Sequence, residues 1–401
     1  MDTLDPSWLP AGLQATVDTQ QGDARAPDRA RRRGGKKKKA GGGGNSGTRE
    51  QLAEAATSEF PRLAFCCSLC GREPSDDQAW KCCGRCGITR YCGVDCQREA
   101  WKHPVAHKKS CGCTLPTPTV VAKGSAVETA TTLFEFGRAD ESLTMACLSR
   151  LISLLQASTA NRRDAAEAGG SAAVITAMMA HASSVEVQRD GCVALGHSAM
   201  GNTAYKDAIV EAGGAEAITS AMAAHLTTTA VQERGCWAMR NVALGAAEAQ
   251  QAVVAAGGAV AVVAALSAHP AEESLAFEAL AALGNLCGGD VGCQAALLGA
   301  GAAEAAVAAM RAHAGAVRVQ AQGCAALGNM AAGDANGQRL VVEAGGAQVV
   351  VAVLRQADGK GGNTESALPA GARAALANMA WGDASLREAV IAAGAEPEWL
   401  D

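Results

Sequence analysis

The chain has 401 residues, of which 49% are hydrophobic, 19% are charged and only 3% are aromatic, a composition that suits two or three folded modules. It shows neither a basic start followed by an apolar run nor an unbroken apolar stretch of about 18 residues, so we expect no secretory signal and no membrane helix. The net charge of −5 is unevenly divided, because residues 1–124 carry 20 Lys/Arg and 13 Asp/Glu whereas residues 125–401 carry 15 and 27.

Residues 1–58 are polar and rich in glycine, and they contain a basic run. The run extends from Arg29 to Lys39 and is followed by Gly41 to Gly44. Because the apolar content is so low, we expect a disordered basic tail. Three roles stay open for it: a nuclear-import signal, an arm that contacts the phosphates of nucleic acid, and a charged tail without a specific partner.

Residues 60–113 hold ten of the 16 cysteines, arranged in pairs with metal-ligand spacing. Two C-x2-C pairs, one C-x3-C pair and one H-x3-C pair supply eight donors: Cys67, Cys70, Cys83, Cys86, Cys92, Cys96, His107 and Cys111. Eight donors predict two tetrahedral Zn²⁺ ions, although spacing alone does not say which pairs share an ion. His103 is an alternative to His107, which we prefer because it keeps the H-x3-C turn.

So short a segment buries too little apolar surface to fold unaided, so metal binding and folding should be one equilibrium. Cysteine spacing of the metal-binding kind indicates a reducing intracellular compartment, the nucleus or the cytoplasm. The six remaining cysteines are scattered through apolar helical stretches, where buried thiols are the ordinary expectation.

The order of the ligands, with Tyr91 before Cys92, Gln97 after Cys96 and Trp101 beyond, resembles the MYND zinc finger. The resemblance implies interleaved sites, with Cys67, Cys70, Cys92 and Cys96 on one zinc and Cys83, Cys86, His107 and Cys111 on the other. It also implies a finger that binds short, proline-containing peptides. Spare thiols stand beside the ligands at Cys66, Cys82 and Cys113.

After a linker at residues 114–124, the chain from 125 to 401 is repetitive. Ala-Gly-Gly or Ala-Gly-Ala recurs every 44 residues from Ala168 to Ala344, and histidines from His181 to His313 keep the same interval. A period of this length predicts stacked helical units. We count five full units over about 160–384, the fifth with an insertion at 358–366, and a partial unit at each end.

One unit illustrates the expected helices. Residues 205–212 predict a short first helix that ends at Gly213, and the apolar spacing predicts a second helix that ends near His225. A longer third helix carries Gly235 to Asn241. Three such helices per unit resemble armadillo repeats. The expected fold is therefore mainly α: an armadillo-like α-solenoid preceded by the two-zinc MYND-type finger and the disordered tail.

An asparagine recurs at one position of the third helix, at Asn241, Asn285, Asn329 and Asn378. Trp237 lies one turn before Asn241 and shares its face of the helix. The resemblance to armadillo proteins implies that these five side chains line a concave groove, where the amides hydrogen-bond the backbone of an extended peptide. The alternative is that the asparagines bridge stacked units. The row one turn before the tryptophan position has mixed charge, so a basic import signal is a doubtful ligand.

No catalytic motif is visible in the sequence. It contains no G-x-S-x-G and no G-x4-G-K-[S/T], and two zinc sites with four protein ligands each leave no position for a reactive water. We therefore expect a zinc-binding interaction scaffold rather than an enzyme, with one peptide on the finger and a second partner in the groove.

A substrate-selecting subunit of a ubiquitin ligase is the alternative function. A relative of protein-lysine methyltransferases is a weaker one, because no segment remains for a methyl-donor domain. The expected partners are proteins or peptides, and only the basic tail could bind nucleic acid. Neither a membrane nor a small-molecule substrate is expected.

Overall fold

The structure is a computed structural model, and it describes residues 81–82, 90–91, 118–288, 291–359 and 367–400. The predicted tail, most of the predicted finger, all eight predicted zinc ligands and His103 lie outside the described residues. Within the finger segment, β1 (Lys81–Cys82) pairs antiparallel with β2 (Arg90–Tyr91), with Lys81 opposite Tyr91 and Cys82 opposite Arg90.

The rest of the described chain is helical. A partial unit comprises α1 (Pro118–Val121), α2 (Ala126–Phe136) and α3 (Glu141–Ala157). Five triplets of first, second and third helices follow. The first helices, of nine residues each, are α4 Thr159–Glu167, α7 Thr203–Glu211, α10 Ala247–Ala255, α13 Val291–Gly299 and α16 Ala335–Glu343.

The second helices are α5 Gly170–Ala180, α8 Gly214–Ala224, α11 Gly258–Ala268, α14 Ala302–Ala312 and α17 Gly346–Gly359. The third helices are α6 Val185–Ser198, α9 Thr229–Ala243, α12 Glu273–Cys287, α15 Val317–Ala331 and α18 Ala367–Ala380. After them, α19 (Ala384–Ala392) and a 3₁₀ turn (Pro397–Trp399) end the described chain. Residues 360–366, most of the predicted insertion, lie outside the description.

The two glycines of the recurring motif have different tasks. Gly213 follows α7 with φ of 82°, a left-handed conformation that a residue with a Cβ adopts only at a cost. Gly214 then begins α8 so close to α7 that a Cβ would lie 2.4 Å from Cγ2 of Ile209. The pair therefore ends one helix, as the sequence predicted, and the structure shows that it also allows the next helix to pack tightly against the first.

The core is built from small and medium side chains, and it runs along the whole stack. Successive third helices pack against one another from α6 to α18, and α6 packs against α3 of the partial unit. The six cysteines from 147 onward are buried: Cys147, Cys192, Cys236, Cys287, Cys293 and Cys324. Burial raises the pKa of Cys192 to about 12, so its thiol is inert at neutral pH. The expectation of buried structural thiols is confirmed.

A methionine, a glycine and a glutamine join the second and third helices of units one, two and four. In unit two, a Cβ on Gly235 would lie 2.4 Å from Cγ of Met222, so the methionine requires a glycine beneath it. Gln232 donates from Nε2 to the carbonyl oxygens of Met222 (2.7 Å) and His225 (2.9 Å). The matching sets are Met178, Gly191 and Gln188 in unit one and Met310, Gly323 and Gln320 in unit four.

Units three and five have another combination at the same positions. Unit three has Leu266, Ala279 and Ala276, and unit five has Leu354, Ala372 and Pro369. Leucine is shorter than methionine, and in both of these units it occurs together with an alanine at the glycine position. Neither alanine nor proline has a side-chain donor, so the bonds to the second-helix carbonyls are absent from these two units.

The recurring histidines lie at the ends of the second helices and connect neighbouring units. The Nε2 atoms of His181, His225 and His269 donate to the backbone oxygens of Gly137 (2.7 Å), Ala182 (2.8 Å) and Leu226 (2.7 Å), respectively. His313 departs from this series, since its Nε2 is buried and has no hydrogen-bond partner among the described residues. The stack therefore lacks this side-chain bond between units three and four.

Candidate functional site

The predicted groove residues all lie on third helices, one asparagine per unit from unit two onward. We call the side chains that α6, α9, α12, α15 and α18 leave at least partly accessible the third-helix face. The exposure of its asparagines varies along the stack: Asn241 is buried, Asn285 is half-buried, Asn329 is exposed and Asn378 is again half-buried.

Three of the asparagines connect neighbouring third helices. The Nδ2 atoms of Asn285, Asn329 and Asn378 donate to backbone oxygens of the preceding unit, those of Arg240 (2.9 Å), Gly284 (2.9 Å) and Gly328 (3.1 Å), respectively. Each acceptor is the residue just before the preceding asparagine, so the amides are held in register by the backbone of their neighbours. The bridging role that the sequence left as an alternative is thus present, and the second Nδ2 hydrogen and Oδ1 are not used by it.

Asn241 makes a different bond, because Trp237 occupies the space beside it. Nδ2 of Asn241 donates to the carbonyl oxygen of Trp237 within its own helix, at 3.0 Å. The indole of Trp237 lies over Gly196 of α6, where a Cβ would be 2.2 Å from a ring carbon. The glycine at 196 therefore permits the tryptophan, and the tryptophan takes the place of the bridging bond at this junction.

The indole also contacts His197 edge to face, with ring centroids 4.8 Å apart. Nε2 of His197 lies 2.9 Å from Nε2 of Gln156 on α3. The pKa of His197 is lowered by burial first and by the nearby charges of Arg162 and Arg234, so its ring is neutral at pH 7. The early part of the third-helix face is therefore aromatic, with an uncharged imidazole in its wall.

The middle of the face carries a cluster of charged groups around one aromatic ring. The guanidinium carbon Cζ of Arg318 lies 4.1 Å from the ring centroid of Phe277, and that of Arg240 lies 5.8 Å from it. Oε2 of Glu278 is 2.7 Å from Nη1 of Arg240, an ion pair that lacks the alignment of a hydrogen bond. These residues come from three successive units, on α9, α12 and α15.

Glu278 lies deep in this cluster, with 15% of its side chain exposed. Burial raises the pKa of its carboxyl above the ordinary 4.5, and the neighbouring Arg240 opposes that effect. Glu278 belongs to the row of mixed charge one turn before the tryptophan position, whereas the sequence pattern did not single out Phe277 or Arg318. The available signal was the rarity of aromatic residues, since one of only five phenylalanines falls on a third helix one residue before Glu278.

The later part of the face is flat and contains small residues. Ala325 and Ala374 stand at the position of Trp237 and are exposed. Beyond the asparagine of unit five, Trp381 follows α18 with 77% of its surface exposed. The face therefore changes from aromatic to charged to open along the stack.

Among the residues from 118 onward that the structure describes, no three His, Cys, Asp or Glu side chains are grouped closely enough to hold a metal ion. In the same ranges no single helix has the length and apolar composition to cross a membrane, although three sharply bent pairs meet that test together: α10 with α11, α13 with α14, and α16 with part of α17.

Comparison with known proteins shows likeness in structure. Neither a family model nor a curated protein matches the chain. An engineered protein of solved structure is 26% identical with a TM-score of 0.56, over 64% of this chain and 97% of that one. A second engineered protein is 28% identical with a TM-score of 0.59, over 69% and 66%.

A designed armadillo repeat protein, solved in complex with the peptide (KR)4, is 21% identical with a TM-score of 0.54, over 64% of this chain and all of that one. Two further designed armadillo repeat proteins have TM-scores of 0.52 and 0.53. The chain thus has an armadillo-like helical repeat fold, which confirms that part of the sequence prediction.

Proposed function

We propose that this protein is a noncatalytic interaction scaffold whose third-helix face binds an extended segment of a partner protein. The observation that carries the proposal is the row of asparagine amides at one position of successive third helices, of which Asn285, Asn329 and Asn378 are fixed by the backbone of the preceding unit. An amide held by one N–H keeps a second N–H and its oxygen for a ligand. Those two groups match the carbonyl and N–H of an extended peptide.

The surroundings of the row support the same proposal. Trp237 supplies an apolar wall at the early end, whereas Ala325 and Ala374 leave room for side chains of a ligand at the later end. A designed protein of the same fold, 21% identical in sequence to this chain, was solved with a bound peptide, which gives further support.

We also propose that residues 60–113 form a two-zinc finger of the MYND type. Seven thiolates and one imidazole are donors that Zn²⁺ prefers, and bound zinc would hold the segment folded. Cys83 and Cys86 fall between β1 and β2, and Cys92 directly follows β2, so a short antiparallel pair flanks three of the predicted ligands. With residues 1–58 as a basic tail and 114–124 as a linker, the proposal is of an intracellular protein with two separate protein-binding modules.

The groove is tested by partner capture from cell extract. One variant carries alanine at Asn241, Asn285, Asn329 and Asn378. Because three of these asparagines also bridge units, a matched variant must weaken the stack elsewhere. Gln250, Gln294 and Gln338 serve this purpose, since they are buried on first helices and donate from Nε2 to the third-helix carbonyls of Asn285, Asn329 and Asn378.

We expect the asparagine variant to lose a set of partners that the glutamine variant retains, at equal loss of thermal stability by circular dichroism. Equal capture by both variants would show that the asparagines have only a structural role.

The finger is tested by zinc content and by its independence from the repeats. We expect two zinc ions per chain by mass spectrometry under native conditions, and fewer when Cys92 is changed to Ala. The helical circular dichroism signal of the repeats should be unchanged in this variant. A zinc-free chain, or a loss of repeat helicity, would contradict the proposal of a separate zinc module.

A further inference from the structure

We infer that the middle of the third-helix face binds a carboxylate-bearing, acidic segment of the partner, at the cluster of Arg240, Phe277 and Arg318. This inference rests on the proposed function and specifies the chemistry of its ligand. It concerns one stretch of the face, between the aromatic wall at Trp237 and the open surface at Ala325.

Arg318 is the donor that a ligand would meet first. Its side chain is exposed, and it has no ion pair among the described residues. Its contact at 4.1 Å is with the ring of Phe277, which has no lone-pair acceptor, so its N–H donors stay available. A guanidinium supported by an aromatic ring has lost part of its freedom before binding, and its planar fork matches a carboxylate.

Arg240 is the second cation of the site, and its ion pair with Glu278 holds its guanidinium in place. With Nη1 only 2.7 Å from the Glu278 carboxylate, its guanidinium is held beside Phe277 while 27% of the side chain remains exposed. The two arginines thus contact one ring from helices on either side of it, α9 and α15. A carboxylate placed beside Phe277 would have cationic neighbours on two units.

The net charge of this part of the face is opposite in sign to that of the repeats as a whole. Glu233 and Glu278 are accompanied by Arg234, Arg240 and Arg318, which gives the cluster one excess positive charge. Residues 125–401 as a whole carry 12 more acidic than basic side chains. The excess negative charge therefore lies elsewhere on the repeats, and a lysine or arginine side chain of a ligand would be repelled at the cluster itself. The expected ligand differs in charge from the (KR)4 peptide bound by the designed protein of the same fold.

The test uses three labelled octapeptides of one length and spacing, (ES)4, (QS)4 and (KS)4, with the full chain and fluorescence anisotropy as the readout. Glutamate and glutamine have nearly the same shape, so their comparison isolates charge. We expect (ES)4 to bind more tightly than (QS)4, and (KS)4 to bind least. Changing Arg318 to Ala should weaken (ES)4 about three- to tenfold, as for loss of one partly exposed charged contact, and leave (QS)4 unchanged.

Arg311 provides the matched control, because it is an exposed arginine on second helix α14 and its change to Ala removes the same charge. We expect Arg311→Ala to leave the binding of (ES)4 unchanged. Equal loss in the two arginine variants would reduce the effect to overall charge and overturn the inference. Tighter binding of (KS)4, equal binding of (ES)4 and (QS)4, or no binding of (ES)4 would overturn it too. The proposed function is judged separately, by the capture experiment with the asparagine and glutamine variants.

Discussion

Gly235→Ala should destabilise the repeats, and a second change, Met222→Leu, should remove most of that effect. In the structure, a Cβ at position 235 would lie 2.4 Å from Cγ and 2.5 Å from Sδ of Met222. To relieve this overlap, either the two helices separate or the Met222 side chain changes its χ1 rotamer, because only χ1 moves Cγ. Units three and five have leucine with alanine at these two positions, which shows that this fold accepts the pair when both change.

The magnitude follows from two opposing effects. Overpacking of this kind costs roughly 1–3 kcal/mol. Alanine in place of glycine inside a helix gains about 1 kcal/mol. We therefore expect Gly235→Ala to lower the free energy of unfolding by up to about 2 kcal/mol. Met222→Leu alone, which nearly conserves volume, should cost less than about 1.5 kcal/mol.

Urea unfolding followed by circular dichroism measures all four proteins of the double-mutant cycle. We expect the double variant to lie within about 1 kcal/mol of the unmodified protein, with a favourable coupling energy between the two positions. The reasoning is refuted if Gly235→Ala is at least as stable as the unmodified chain, or if the effects of the two changes simply add.

Two further predictions concern buried polar groups. Changing Gln320 to Ala removes the bonds from Nε2 to Met310 O and His313 O, so it should lower the free energy of unfolding by about 1–3 kcal/mol. Amide hydrogen exchange at the C-terminal end of α14 should increase. Unchanged exchange would show that water replaces the two bonds. Glu278, whose pKa is raised by burial above its ordinary 4.5, favours the folded state most below about pH 4.5 and loses that contribution as pH rises through its folded-state pKa. The stability of the unmodified protein relative to Glu278→Gln should therefore fall as pH rises from about 4.5 to 7 in urea titrations, and the opposite slope would mean that Arg240 dominates over burial.

The helical architecture was predictable because it rests on spacing. The 44-residue interval of the glycine motif set the boundaries between first and second helices, and the structure gives Gly213 the left-handed conformation that this position requires. The histidines were predicted near the ends of the second helices, where His225 lies. Such features depend on local backbone geometry, which can be inferred from the residue types and their spacing.

Contacts between units were less predictable. The sequence offered two roles for the asparagines, ligand binding and bridging. In the structure Asn285 bridges to Arg240 O of the preceding unit, whereas Asn241 bonds to Trp237 O within its own helix. The difference arises from Trp237 and Gly196, which are 41 residues apart, and the cluster around Phe277 likewise combines three helices. Pairings of this kind depend on how the units stack, which the period of the sequence does not specify.

Unit three and its boundary with unit four lack side-chain bonds that are present elsewhere in the stack. Ala276 has no side-chain donor to match Gln232 or Gln320. Nε2 of His313, in unit four, has no hydrogen-bond partner among the described residues, whereas His225 and His269 each donate to the unit before their own. In a repeat array each unit contacts mainly its nearest neighbours, so a deficit in one unit is not shared by the rest. Under mechanical tension the array should part first at the boundary after unit three, which would leave two shorter blocks that unravel at different forces.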